Sequence, residues 1–213
     1  MKPLITTKII LASVGTALVM GCAPTAPEPI FEMDRFTKKK ANGDAIALDD
    51  GPWACVEDNK TGLHWEVKSI NENLQFSRST FRWQLKDAPI PDEGGCSIHA
   101  ENDSIVRFHD CEAKAIVAHV NQKQLCGFDD WRLPTALELR SIMIEHAYPS
   151  ERKIPFPLLP RVIHATYWTS ETKEVNGRAK AMTIHLANKD EYWANTDEVA
   201  NVMLVRGQKM LAK

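Results

Sequence analysis

Four cysteines, Cys55, Cys96, Cys111 and Cys126, follow an N-terminal segment built for export, and this combination constrains the chain more than any other feature. Lys2 and Lys8 make a positive start, and Ile9 to Met20 is an uncharged, mostly apolar run. At about twelve residues it suits a signal core and falls short of the roughly twenty a membrane-spanning helix needs. An exported chain meets an oxidising compartment, where an even number of cysteines reads as a disulfide framework. Four cysteines allow three pairings. Ala113, Ile116, Val117 and Val120 lie on one helical face, Asp110 stands as an N-cap and Gly127 as the stop, so a helix is expected over Glu112 to Leu125. Such a helix holds Cys111 and Cys126 roughly 20 Å apart, whereas a disulfide tolerates about 7 Å between Cα atoms. Two pairings stay open: Cys96–Cys111 with Cys55–Cys126, which is preferred, or Cys55–Cys111 with Cys96–Cys126.

The fifth cysteine has a different role. Val19-Met20-Gly21-Cys22 resembles the lipobox of bacterial lipoproteins, in which cleavage leaves the cysteine as an acylated N-terminus. Residues 1–21 are then a signal peptide, Cys22 carries lipid, and residues 22–48 form a tether, opened by a proline-rich run from Ala23 to Pro29 that suits neither helix nor sheet. More than one acyl chain on a cysteine anchors stably where a single chain does not. Ala23 after the cysteine, in place of Asp, points to the outer membrane of a bacterial cell envelope. Lys38-Lys39-Lys40 reads as a solvated charge run near the lipid, and order is expected from about Trp53 within a domain over residues 49–213. Cleavage removes Lys2 and Lys8 and no acidic residue, so the formal charge moves from −2 to −4. That balance argues against a nucleic-acid binder, whose phosphate contacts demand a basic face.

Along the body, Ala54-Cys55-Val56, then Asp58 to Gly62, then Leu63 to Val67 reads as strand, turn, strand. Phe76 to Leu85 alternates Phe81 and Trp83 as a short strand, and Lys86 to Asp110 is a long loop. After the first helix, Thr135 and Glu138 stand in capping-box spacing ahead of Leu137, Leu139, Ile142 and Met143, which predicts a second helix. His146 to His164 carries four prolines and is expected as loop. Strands follow at Tyr167 to Ser170, at Ala179 to Leu186 and at Val199 to Val205. Two helices among short antiparallel strands make an α+β, disulfide-braced domain.

Asp58-Asn59-Lys60-Thr61-Gly62-Leu63-His64-Trp65-Glu66 resembles the D-x-x-T-G-L-x-W-E opening of the Lcl C-terminal domain family, formerly a domain of unknown function. Cys126 to Leu139 resembles its central C-G-[FY]-x-D-W-R-[LM]-P-T-x-x-E-L, and Pro155-Phe156-Pro157, Tyr167-Trp168-Thr169-Ser170 and Leu204-Val205-Arg206 fall in the family's order. The resemblance runs from about Trp53 to Gly207. It implies a C-type-lectin-like fold with paired early and late strands and long loops. It also implies a binding or adhesion module, with a polysaccharide or an envelope protein as partner. Arg132-Leu133-Pro134-Thr135 with Glu138 also resembles a segment of formylglycine-generating enzymes. Those need reactive cysteines late in the chain, and none follows Cys126.

No residue pattern marks a nucleophile, a base or a cofactor site. His99, Glu101, Asp103 and His109 share one polar loop, where such residues are ordinarily solvated, so no metal is assigned. Trp65, Trp131 and Trp168 sit in motifs and are expected in the core, with Asp130 and Arg132 satisfying each other or nearby backbone. Arg178, Tyr192 and Trp193, on a stretch outside the motifs (Val175 to Thr196), are the candidate ligand contacts. They offer two stacking rings and a forked donor from what is expected to be loop. The competing reading is a periplasmic enzyme of unassigned chemistry on a lectin-like scaffold. Cys22→Ser should leave the protein exported but move it from the detergent phase to the aqueous phase; a variant that stays with the membrane fraction contradicts the anchor.

Overall fold

The computed structural model describes residues 33–68, 78–84, 99–101, 105–107, 111–143 and 158–211, with the backbone alone described for 99–101 and 105–107. The signal segment, Cys22 and the proline-rich run lie outside these residues.

The β3–β4 hairpin shows how sequence dictates the local fold. Strands β3 (Cys55–Asp58) and β4 (Leu63–Glu66) pair antiparallel, with Val56 opposite Trp65. At the turn the Asp58 carboxylate accepts from the Lys60 N–H at 3.0 Å and the Thr61 hydroxyl at 2.8 Å, and the Asp58 carbonyl accepts from the Gly62 N–H at 2.7 Å. Gly62 has φ +73°, a left-handed conformation that a side chain disfavours. The Asp-x-x-Thr-Gly spacing is thus the recipe of the turn. Arg35 then clamps the same carboxylate from outside the hairpin through Nε at 2.6 Å and through Nη2.

Two more strands precede this hairpin. β1 (Phe36–Lys39) pairs with β3, and β2 (Ala45–Ile46) pairs with β1; with β12 (Val205–Arg206) they complete a five-stranded sheet in the order β12-β4-β3-β1-β2. The expected tether therefore enters the domain well before Trp53. Lys38, read from sequence as part of a solvated run, is 5% exposed. Its stem is covered, and its ammonium lies 3.8 Å from the centre of the Trp53 ring and donates to the Leu48 and Asp50 carbonyls. A lysine at an inward strand position can be buried when its charge is met this completely.

The second sheet runs β10-β9-β8-β11-β5: β5 (Thr80–Arg82), β8 (Thr166–Val175), β9 (Arg178–His185), β10 (Glu191–Asn195) and β11 (Val199–Asn201). Only β11 and β8 pair in parallel within it. A small hairpin of β6 (His99–Glu101) and β7 (Ile105–Arg107) falls inside the stretch expected to be loop. The single strand expected over Val199–Val205 is instead two: β11 belongs to the second sheet, and β12 (Val205–Arg206) pairs with β4 in the first. Between them the chain crosses from one sheet to the other while staying buried. Met203 joins one buried cluster with Val56, Trp65 and Tyr167, and Val202 and Leu204 join the other with Cys55, Phe81 and Trp168.

Helix α1 spans Ala113–Gln122, shorter than expected, and begins after Glu112 with no side-chain cap; the expected cap Asp110 lies outside the described residues. The chain turns at Gln124 (φ +49°) into a 3-10 turn over Leu125–Gly127, which is why the helix stops before Leu125. Helix α2 (Ala136–Ser141) carries the expected capping box between Thr135 and Glu138. Cys55 and Cys126 are bonded, with Cα atoms 6.6 Å apart. Cys111 is also disulfide-bonded, and its expected partner Cys96 lies outside the described residues.

Trp65, Trp131 and Trp168 are buried, as their motifs predicted. Trp131 is held from three directions. Asn121 of α1 accepts from its backbone N–H at 2.7 Å and donates to its carbonyl at 2.9 Å, and the indole donates to the Leu125 carbonyl at 3.0 Å. The indole fills the core beside the disulfide, between α1 and the second sheet. Trp131→Ala should lower stability by about 3–5 kcal/mol. Urea unfolding measures it, and a loss under about 1 kcal/mol would contradict the burial.

Candidate functional site

The motif residues are tied together by hydrogen bonds and ion pairs. Arg132 presents both terminal nitrogens to Glu138, at 2.7 and 2.8 Å, and donates to the Gly207 carbonyl at 3.1 Å. Glu138 also accepts from the N–H groups of Thr135 (2.8 Å) and Met210 (3.0 Å). Asp130, which the sequence reading paired with Arg132 or backbone, instead binds Arg206 of β12 through two bonds of 2.8 and 2.9 Å. Asp130 thus finds its partner 76 residues away, whereas Arg132 and Glu138 stand six residues apart. The Arg206 guanidinium lies 3.9 Å from the centre of the Phe128 ring, whose edge packs against His64.

Charges held this way are poor reagents. Burial pushes the Glu138 carboxyl up, but Arg132 and the two backbone donors outweigh it and hold its pKa below the ordinary value. Asp58 behaves alike, with the Arg35 and Thr61 hydrogen bonds overcoming burial. Burial, helped by Arg206 and Lys39, lowers the pKa of His64 despite Glu57 nearby. A general acid or base works best with a pKa near the operating pH and a proton it can exchange. Glu138 and Asp58 are locked as anions and fully engaged. Among the described residues no group of three or more His, Cys, Asp or Glu side chains is placed to hold a metal. His99, Glu101, Asp103 and His109 fall outside the described side chains.

The candidate contacts Arg178, Tyr192 and Trp193 are not on loops. They lie on β9 and β10. A tight turn at Asn176 and Gly177, with φ of 52° and 72°, joins β8 to β9, and these are the signs a two-residue type I′ turn requires. Neighbouring residues of a strand face opposite ways, so Tyr192 and Trp193 do not act together. Tyr192 lies opposite Thr183 on one face, and Trp193 lies opposite Met182 on the other. Arg178 shares the Trp193 face, four residues from Met182 along β9 or roughly 13 Å away. The register adds two residues absent from the sequence reading. Lys173 and Lys180 are directly opposed on this same face, and the Lys173 ammonium lies 4.2 Å from the centre of the Trp193 ring. The Asn176-Gly177 dipeptide carried that register, since a two-residue turn places 173 opposite 180.

A second concave feature lies beside Trp83. It is a cleft of about 410 Å³, walled by Ala113 and Val117 of α1 and by Leu133 next to the motif. The Trp83 indole donates to the Thr169 carbonyl at 2.9 Å, fixing its polar edge away from solvent.

A family model described as the Lcl C-terminal domain matches residues 54–206. The chain belongs to this family. Neither a curated protein nor a solved structure matches it. The Lcl C-terminal domain match opens at β3 and closes at β12, so β1 and β2 precede the matched region and extend its first sheet. Two segments within the match fall on structural joints: the Asp58 turn and the Arg132–Glu138 pair. No helix among the described residues is long and apolar enough to cross a membrane.

Those joints set the acid response. An unfolded chain takes up protons on Asp and Glu near pH 4 (roughly), while folded Glu138 and Asp58 stay charged to lower pH. The unfolded state then binds more protons, so stability is full above about pH 5 and declines as pH falls through the folded values. Thermal melts from neutral to acid should show this decline, and Glu138→Gln should be less stable at neutral pH and show a shallower decline. An unchanged slope would contradict the assignment.

Proposed function

We propose that this protein is an envelope-anchored lipoprotein whose domain is a non-catalytic binding module, with a polysaccharide as its ligand. In this reading residues 1–21 are removed, Cys22 carries the lipid at the outer membrane, and a short tether leads to β1. The scaffold is C-type-lectin-like. In support, the late strand β12 pairs with the early strand β4, and two helices and a long insertion lie between them. The preferred Cys96–Cys111 pairing would pin that insertion, and Cys111 is in a disulfide.

The observation that carries the binding reading is the β8–β10 face, where Trp193 lies under Lys173 opposite Lys180, with Arg178 on the same face. Sugars present apolar ring faces rimmed by hydroxyls, which suit an indole flanked by donors. Like charges directly opposite across a strand pair are unfavourable, so Lys173 and Lys180 gain from a ligand that supplies acceptors between them. Lys173 is exposed, and its stacking on Trp193 is worth only about 0.5–1 kcal/mol, small enough for a sugar to displace. Strands hold the indole more rigidly than a loop would, which lowers the ordering cost of binding.

The test is binding of the purified protein to a panel of immobilised bacterial and host polysaccharides. Trp193→Ala should weaken the bound polysaccharide at least roughly tenfold while costing about 1 kcal/mol of stability or less. A Trp193→Ala protein that binds as wild type does, or a folded Arg132 variant that alone loses the ligand, would contradict the site.

A further inference from the structure

The cleft beside Trp83 has no part in the polysaccharide reading, and its chemistry differs from that of the sheet face. Its walls are apolar and fixed. Ala113 and Val117 stand one turn apart on α1, so their side chains form one continuous strip. Leu133 closes the strip where the chain leaves Trp131, and the indole of Trp83 is immobilised by its bond to the Thr169 carbonyl. A volume of about 410 Å³ lies in the range of small-molecule sites, roughly 300–1,000 Å³.

The charges around it have one sign. Among the described residues, Lys114, Arg132 and Lys209 line the cleft and no carboxylate does. Two of these cations are already matched: Arg132 by Glu138, and Lys114 by Glu112 at the start of α1. Lys209 makes no ion pair among the described residues, and it sits at the rim with the Ser170 side chain also on the lining. An apolar trough with one uncommitted cation at its mouth selects an apolar body with one negative group. A cation would meet the uncompensated charge of Lys209, and a neutral molecule would gain the walls without the charge.

We propose that this cleft binds a small amphipathic monocarboxylate, with its hydrocarbon against Trp83, Val117 and Leu133 and its carboxylate at Lys209. Each buried methylene group contributes roughly fourfold in affinity, so the tail supplies binding and the lysine supplies selectivity. The sheet-face reading can fail without affecting this site, because no residue is shared between them.

Isothermal titration of the full chain carrying Cys22→Ser, which needs no detergent, with octanoate, octanol and octylammonium tests the proposal. Octanoate should bind saturably at one site, octanol at least roughly tenfold more weakly, and octylammonium not at all. Lys209→Glu changes an exposed residue and should weaken octanoate by about tenfold or more. Val117→Trp should fill the trough and abolish binding; if that variant does not fold, Lys209→Glu decides alone. No saturable octanoate binding, equal binding of octanol, or octanoate binding unchanged by Lys209→Glu would each overturn the proposal.

Discussion

The Glu138 carboxylate has no exposed surface and accepts four hydrogen bonds: two from Arg132, one from the Thr135 backbone and one from the Met210 backbone. A carboxylate taken out of water without partners is strongly unfavourable, so this one is tolerable only while all four donors are in place. Those donors come from the loop before α2, from the start of α2 and from the C-terminal segment. One buried charge therefore fixes the α2 entry against the chain end. Arg132 extends the joint by donating to the Gly207 carbonyl, and Arg206 next to it binds Asp130. Gly207 has φ +105°, and a Cβ there would stand 3.0 Å from the Gly62 carbonyl oxygen. The β3–β4 turn, the central motif and the last strand thus meet within a few residues.

This convergence gives the longest motif a structural role. Breaking a buried pair costs about 3–5 kcal/mol, a large part of the roughly 5–15 kcal/mol that separates folded from unfolded domains. The Asp58 turn follows the same principle, with Arg35 bringing the segment before β1 onto the hairpin. The two proposed binding surfaces, the Lys173–Trp193 face and the trough at Trp83, lie outside these joints.

Much of the core was legible in the sequence because its signals are local. The Thr135–Glu138 capping box, the apolar stripe of α1 and the Asp58 to Gly62 turn each depend on residues within a few positions. The family motif extended this reading over β3 to β12. Pairings that close over long separations were not legible. Asp130 has Arg132 two residues away, yet its partner is Arg206, and only the β12–β4 pairing reveals it. Lys38 looks solvated within a run of three lysines; its burial depends on Trp53 and on carbonyls of the β2–β3 connection. Arg178, Tyr192 and Trp193 were grouped by residue type as a site. Alternation along β10 separates the two rings, and the hairpin register supplies the lysines that composition had not singled out.

The Arg132–Glu138 pair is the joint on which the fold depends. A double-mutant cycle with Arg132→Met and Glu138→Gln, followed by urea unfolding, tests it most directly. The account predicts that each single variant is destabilised by about 3 kcal/mol. The double variant should be less destabilised than the sum, with a coupling of at least about 1 kcal/mol, because removing both charges leaves neither one stranded. Additive losses, or single variants as stable as the wild type, would contradict it.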